Sequence, residues 1–208
     1  MNEQEVRGQI VGAARSIYAR TLTHGSTGNI SVRLGGQVLV TPTGSSLGTV
    51  HADDLAVIAL DGTHVSGPKP SKEAFLHAAM LRARPQDTAV VHTHSTYSAA
   101  LSCLDGLDPE NALPPLTAYF AMRIGRLPLL PYHAPGDDSL ERLAETTARD
   151  HGALLLSNHG PIVASRSLDL AMDALEELEE TAKLYFLLQG HPTRPLTSVQ
   201  TGALAANR

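Results

Sequence analysis

Apolar and polar positions along the chain sort it into short elements of two periods. Across "EVRGQIVGAARSIYAR" (Glu5 to Arg20) Val6, Ile10, Ala13/Ala14 and Ile17 recur at helical spacing. "GNISVR" and "QVLVTPT" read as strands joined through Gly35-Gly36, a hairpin signal. "LAVIAL" is a third strand, ended by the turn pair Asp61-Gly62. "SKEAFLHAAMLRAR" predicts a helix opened by Pro70 and Ser71, with Glu73 in its first turn, and stopped by Pro85. "TAVVHTH" reads as a strand and "STYSAALSCL" as a helix with a serine cap. "ALLLSNHGPIVAS" reads as two short strands broken at Asn158 to Pro161. In "SLDLAMDALEELEETAKLYFLLQ" Leu168, Ala171, Leu175, Leu178, Ala182 and Tyr185 or Phe186 step by three or four, one face of a long helix. Its Glu176, Glu177, Glu179 and Glu180 read as a solvated face, with Glu179 four residues before Lys183. After Gly190 the composition turns to Pro, Thr, Ser and Ala, the mark of a loosely held tail. Hairpin signals with little βαβ alternation predict a single α/β domain over residues 1–208, built on a mixed, largely antiparallel sheet.

Composition narrows the class of partner. With 42% hydrophobic and 18% charged residues in 208, the chain has the balance of a soluble globular protein. A net charge of −5 with no Lys/Arg block argues against nucleic acid and anionic membrane. Cys103 is the only cysteine, so no internal disulfide forms. The polar N-terminus "MNEQEVRGQI" lacks a signal-peptide core, and no apolar run is long enough to cross a bilayer. The expected compartment is the cytoplasm.

Candidate chemistry starts at "VVHTHS". In a strand, residues two apart face the same way, so His92 and His94 can aim a ring nitrogen at one point. His159, in "SNHGP", follows a buried-looking run and precedes a Gly-Pro turn; taken alone it reads as a loop histidine bonded to backbone. Zinc commonly takes three protein ligands and leaves a position open for substrate. Imidazole also suits other divalent transition metals. His24 and His133 sit in glycine-bearing loops suited to line a cleft, whereas His51, His64, His77, His151 and His191 read as surface or packing. Glu73 at a helix start is favoured by the helix dipole, but Lys72 there opposes it and calls for an anionic partner. With Ser71 and the helix amides it makes a seat for phosphate or carboxylate. Gly28-Asn29 and Thr43-Gly44 lie in polar loops that read as turns, with backbone amides able to form a nest. Neither matches a nucleotide-binding fingerprint.

Taken in order, "HGSTGNISVR", "LVTPTGSSLG", "KPSKEAFLH", "AVVHTHSTYS", "LPYHAPG" and "LLLSNHGPIVA" with the long helix after it resemble the class II aldolase/adducin family, over roughly residues 5 to 189. The resemblance implies a Zn2+ site at Glu73, His92, His94 and His159, with Glu73 doubling as catalytic acid/base. It implies a substrate phosphate held at Asn29, Thr43, Gly44, Ser71 and Lys72, and a second proton-transfer candidate at Tyr119. It further implies a largely antiparallel sheet with helices on both faces, and a homotetramer with sites at its interfaces, where the tail after Gly190 can close over a neighbour. Within the family, "KPSKEAFLH", "HSTYSAALSCL", "LPPLTAYFAMRIG", "YHAPGD" and "EELEETAKL" look most like the members that decarboxylate 3-oxo-tetronate 4-phosphate, a phosphorylated sugar acid, through a zinc-stabilised enediolate in the catabolism of four-carbon acid sugars. The alternatives are retro-aldol cleavage of a sugar phosphate on the same site, and a non-catalytic adducin-like interaction domain. The filled ligand positions favour an enzyme.

Overall fold

The structure is a computed structural model and describes residues 2–205. Helix α1 (Glu3–Ala19) starts slightly before its periodic stretch because Asn2 and Glu5 form a reciprocal capping box. Strands β1 (Asn29–Leu34) and β2 (Gln37–Val40) form the expected hairpin, with Gly35 at φ +61° where a side chain would be strained. Next come β3 (Ala56–Ala59), β4 (His64–Ser66), α2 (Ala74–Ala83), β5 (Ala89–His92), α3 (Thr96–Ser102), α4 (Ala118–Arg123) and β6 (Leu129–Leu130). The chain ends with α5 (Glu141–Ala148), β7 (Ala153–Leu156), β8 (Gly160–Ser165), α6 (Leu168–Leu187) and α7 (Ser198–Ala205). The segment beyond Gly190, expected as loose, thus carries a helix, which packs on α4; Leu196 N–H also donates to Pro115 O at 2.9 Å.

The eight strands form one sheet in the order β4-β3-β2-β1-β5-β8-β7-β6, antiparallel throughout except between β6 and β7. Its alternating side chains feed two apolar layers. Ile30, Val32, Leu39, Val91, Leu155 and Val163 point toward α1, α3, α4 and α6. Val38, Val40, Val90, Leu154 and Ile162 point toward α2 and α5. Strands buried on both faces lose the clean polar alternation, which is why "AVV" and "ALLL" read as continuous apolar runs. No helix among the described residues is long and apolar enough to cross a membrane.

Helix α2 corrects the sequence-based reading. It begins at Ala74, not at Ser71, because residues 69–71 run as a short antiparallel bridge beside residues 41–43. Thr43 N–H donates to Lys69 O at 3.0 Å and Ser71 N–H to Thr41 O at 3.1 Å. That pairing holds the chain extended, so Glu73 caps the helix from outside its first turn, and its carbonyl accepts from Leu76 N–H at 2.9 Å. Lys72 accordingly precedes the helix.

Candidate functional site

Three neighbouring antiparallel strands bring their site residues to one end of the sheet. Asn29 opens β1, His92 ends β5 directly opposite it, and His159 immediately precedes β8, which pairs with the other edge of β5. His94 lies just past the strand, in the turn into α3, so it converges with His92 through the loop and not through strand alternation. Glu73 reaches the same point from the cap of α2.

One nitrogen or oxygen from each of Glu73, His92, His94 and His159 lies within 4.8 Å of all the others. Glu73 Oε1 is 3.0 Å from His159 Nε2 and Glu73 Oε2 is 3.4 Å from His92 Nε2. His94 Nε2 and His159 Nε2 approach to 2.9 Å. His92 Nδ1–H donates to Pro161 O at 2.8 Å, which fixes the tautomer and leaves the Nε2 lone pair facing the cluster. That Nε2 is buried and makes no hydrogen bond, and no proton is available to bridge its 3.4 Å gap to the Glu73 carboxylate. Two facing lone pairs buried together are unfavourable unless a cation lies between them. Three imidazoles and one carboxylate are a donor set that suits zinc and other divalent transition metals.

The protonation states agree with that reading. Burial pushes the Glu73 carboxyl up, but His92, His159 and the Asn29 amide outweigh it and hold it below the usual carboxylate range. Burial, then the neighbouring His92 and His159, lower His94 to about 3, and burial lowers His92. Neutral imidazoles beside an ionised carboxylate are the states a metal needs.

The cluster forms the inner end of an open cleft of about 230 Å³, lined by Gly28, Asn29, Thr43, Gly44, Ser71, Lys72, Glu73, His94, His159 and Pro135, among others. His92 lies behind this lining, fully buried. Lys72 makes no salt bridge among the described residues, so its charge is free toward the cleft. Gly44, at φ +72°, turns the backbone after Thr43, whose own N–H is taken by Lys69 O. The Asn29 amide is likewise engaged, donating to Glu73 Oε2 at 2.9 Å. His24 and His133 do not line the cleft. Tyr119, on α4, stands outside it as well; the residue is 60% exposed, with the Arg123 guanidinium 5.5 Å from its ring centre.

Three residues that matter here were not singled out from the sequence. His77 is fully buried and hydrogen-bonded to Asn29 and Ser31. Glu179, read as solvated, is buried and caps α3, accepting from Tyr97 N–H and Ser98 N–H at 2.8 Å each. Gly160 lets β8 pass close to Thr93, where an added Cβ would lie 2.3 Å from the Thr93 carbonyl oxygen. The one available signal was the spacing of His77, four residues after Glu73 and so one helical turn away.

This fold has counterparts among known proteins. The chain belongs to the Class II Aldolase and Adducin N-terminal domain family, whose pattern it matches over residues 8–186. Over 203 residues it is 47% identical to the 3-oxo-tetronate 4-phosphate decarboxylase of Escherichia coli, covering 97% of this chain and 96% of that one. It is 37% identical to the L-fuculose phosphate aldolase of Methanocaldococcus jannaschii, covering 86% of this chain and 94% of the relative. The crystal structure of YgbL from Escherichia coli superposes with a TM-score of 0.94 at 46% identity, covering 98% and 99% of the two chains.

Proposed function

We propose that this chain is a metal-dependent carbon–carbon lyase that converts 3-oxo-tetronate 4-phosphate into dihydroxyacetone phosphate and carbon dioxide, in the catabolism of four-carbon acid sugars. The observation that carries the reading is the convergence of Glu73, His92, His94 and His159 at the inner end of an open cleft with Lys72 at its side. The relative at 47% identity, named for this reaction, supports the choice of substrate.

Glu73, His92, His94 and His159 would hold Zn2+ or another divalent transition metal, which supplies Lewis-acid polarisation of substrate oxygens when bound. The chain's own groups do the rest. Ser71, Lys72, Thr43 and Gly44 seat the phosphate, with Lys72 as the point charge for a dianion. Asn29 keeps a place beside that seat, although its amide faces Glu73. The bond from the carboxyl carbon to its neighbour breaks, carbon dioxide leaves, and the electron pair passes toward the adjacent carbonyl oxygen. One proton must then return to the carbon that lost the carboxylate. Glu73, ionised at rest, takes that proton from the open mouth of the cleft and delivers it. Tyr119, on the surface of this chain, has a proton-transfer role only across a subunit boundary, so its role goes together with a homotetramer. A cytoplasmic location completes the reading.

The test is release of carbon dioxide and dihydroxyacetone phosphate from 3-oxo-tetronate 4-phosphate, with zinc and after chelation. Both products should form only with metal, and Glu73→Gln should lower kcat by roughly 10²–10⁴-fold, the range of general acid–base catalysis. The aldolase relative from Methanocaldococcus jannaschii favours one second reading, retro-aldol cleavage. Cleavage of fuculose 1-phosphate without carbon dioxide release would establish it and sink the decarboxylase.

A further inference from the structure

His77 sits on α2 against β1, with no exposed surface, on the side of the sheet whose apolar layer includes Val38, Val90, Met80 and Ile162. A residue serving only to fill that layer would be apolar. Instead, His77 lies between Ser31 Oγ, 2.7 Å from its Nδ1, and Asn29 Oδ1, within hydrogen-bonding distance of its Nε2. Asn29 in turn reaches Glu73 Oε2 at 2.9 Å.

The direction of every bond in this row follows from one end. An ionised carboxylate only accepts, so Asn29 must present its amide nitrogen to Glu73. Its Oδ1 then faces His77 and needs a donor, which places the imidazole proton on Nε2. Nδ1 is left with its lone pair and accepts from the Ser31 hydroxyl. The ring is fully buried with no carboxylate bonded to it, so it stays neutral with a single ring proton. Reversing the Asn29 amide would set two lone pairs against each other at Glu73 and two donors against each other at His77, both at buried side chains.

We infer that His77 is a positioning residue for Glu73: its Nε2–H tautomer, supported by Ser31, orients the Asn29 amide so that it donates to the carboxylate and holds it toward the three histidines. This rests on the reading of Glu73 as metal ligand and proton carrier. It also gives Asn29 a task beside the anion contact expected of it. Residues that orient metal ligands typically govern metal affinity by about 10–100-fold when replaced.

The experiment has two arms, neither of which uses substrate. Imidazole-15N spectra of the unsubstituted metal-free protein, with the His77 signals identified by their loss in His77→Gln, should show a proton on Nε2 and none on Nδ1 at neutral pH. A proton on Nδ1, or on both nitrogens, overturns the inference. In the second arm zinc affinity is measured by calorimetry. His77→Leu should bind about 10–100-fold more weakly. His77→Gln, whose amide nitrogen can stand where Nε2 stands, should recover most of that loss. Equal affinities in the three proteins, or equal losses in Leu and Gln, overturn it too. The spectra still decide the matter if His77→Leu does not fold. A protein that passes both arms yet releases no carbon dioxide would refute the proposed reaction and leave the role of His77 standing.

Discussion

Gly160 shows how narrowly the cluster is built. The residue stands between His159 and Pro161, whose carbonyl orients His92, and its Cα faces the backbone between His92 and His94. A methyl group there would lie 2.3 Å from Thr93 O and 3.4 Å from His94 Cα, so β8 and the His94 loop must part. Gly160→Ala should therefore weaken zinc binding by about 10–100-fold, as misplacement of ligands does. Overpacking should also cost roughly 1–3 kcal/mol of stability. Gly8→Ala, which meets nothing within 4 Å on α1, is the control and should gain up to about 1 kcal/mol from helix propensity. Calorimetric zinc titration and urea unfolding read both, and unchanged affinity in Gly160→Ala would remove Gly160 from the site. His92 and His94 stood out as a pair, though they converge through the loop after β5 and not by strand alternation, and His159 joined them only through the family resemblance. Gly160 was less legible, since "HGP" records a turn and says nothing of the carbonyl the glycine meets 67 positions earlier in the chain, about 67 being the separation of Thr93 from Gly160.

At the scale of elements, α3 is fixed by α6 and not by its own first residue. Ser95 was expected to cap it, yet the Ser95 hydroxyl is buried without a partner. The free amides of the first turn are met by Glu179, which accepts from Tyr97 N–H and Ser98 N–H at 2.8 Å and from the Ser98 hydroxyl at 2.7 Å. The expected pairing of Lys183 with Glu179 is replaced by one with Glu180, at 3.7 Å. No local pattern could show this, because the donors and acceptor are more than 80 residues apart (82 and 81). Periodicity marks which helix face is apolar but not which single carboxylate on its margin turns inward. Glu179→Ala leaves two amides unsatisfied and should destabilise the protein by about 1–3 kcal/mol. Hydrogen exchange at Tyr97 and Ser98 should accelerate well beyond that in α1, and uniform protection in the variant would show that Glu179 does not hold the helix.

For the whole molecule, local signals sufficed for the hairpin β1–β2, whose partners adjoin in sequence, and for β3 with its turn, whereas β4, which pairs with β3, was not expected. The central pairing was not visible: β5 enters between β1 and β8, and α7 folds from a stretch whose composition reads as loose. Those placements depend on apolar layers closed by distant elements, and they create the site. Glu73 arrives with α2, His92 and His94 with β5 and its loop, and His159 with the β7–β8 turn. A bound metal would thus join segments from residue 73 to residue 159, a set that does not exist in the unfolded chain. Binding to the folded state alone stabilises it by RT ln(1 + [L]/Kd), about 2.7 kcal/mol at a hundred times Kd. For a chain of this size each kcal/mol raises Tm by roughly 2–4 °C, so zinc at that concentration should raise it by about 5–10 °C. Chelator should reverse the shift, and His92→Ala, lacking the buried Nε2 that makes no hydrogen bond, should lose most of it. Identical melting curves with zinc and with chelator would mean that the four donors hold no metal in the folded protein, and the proposed chemistry would fall with them.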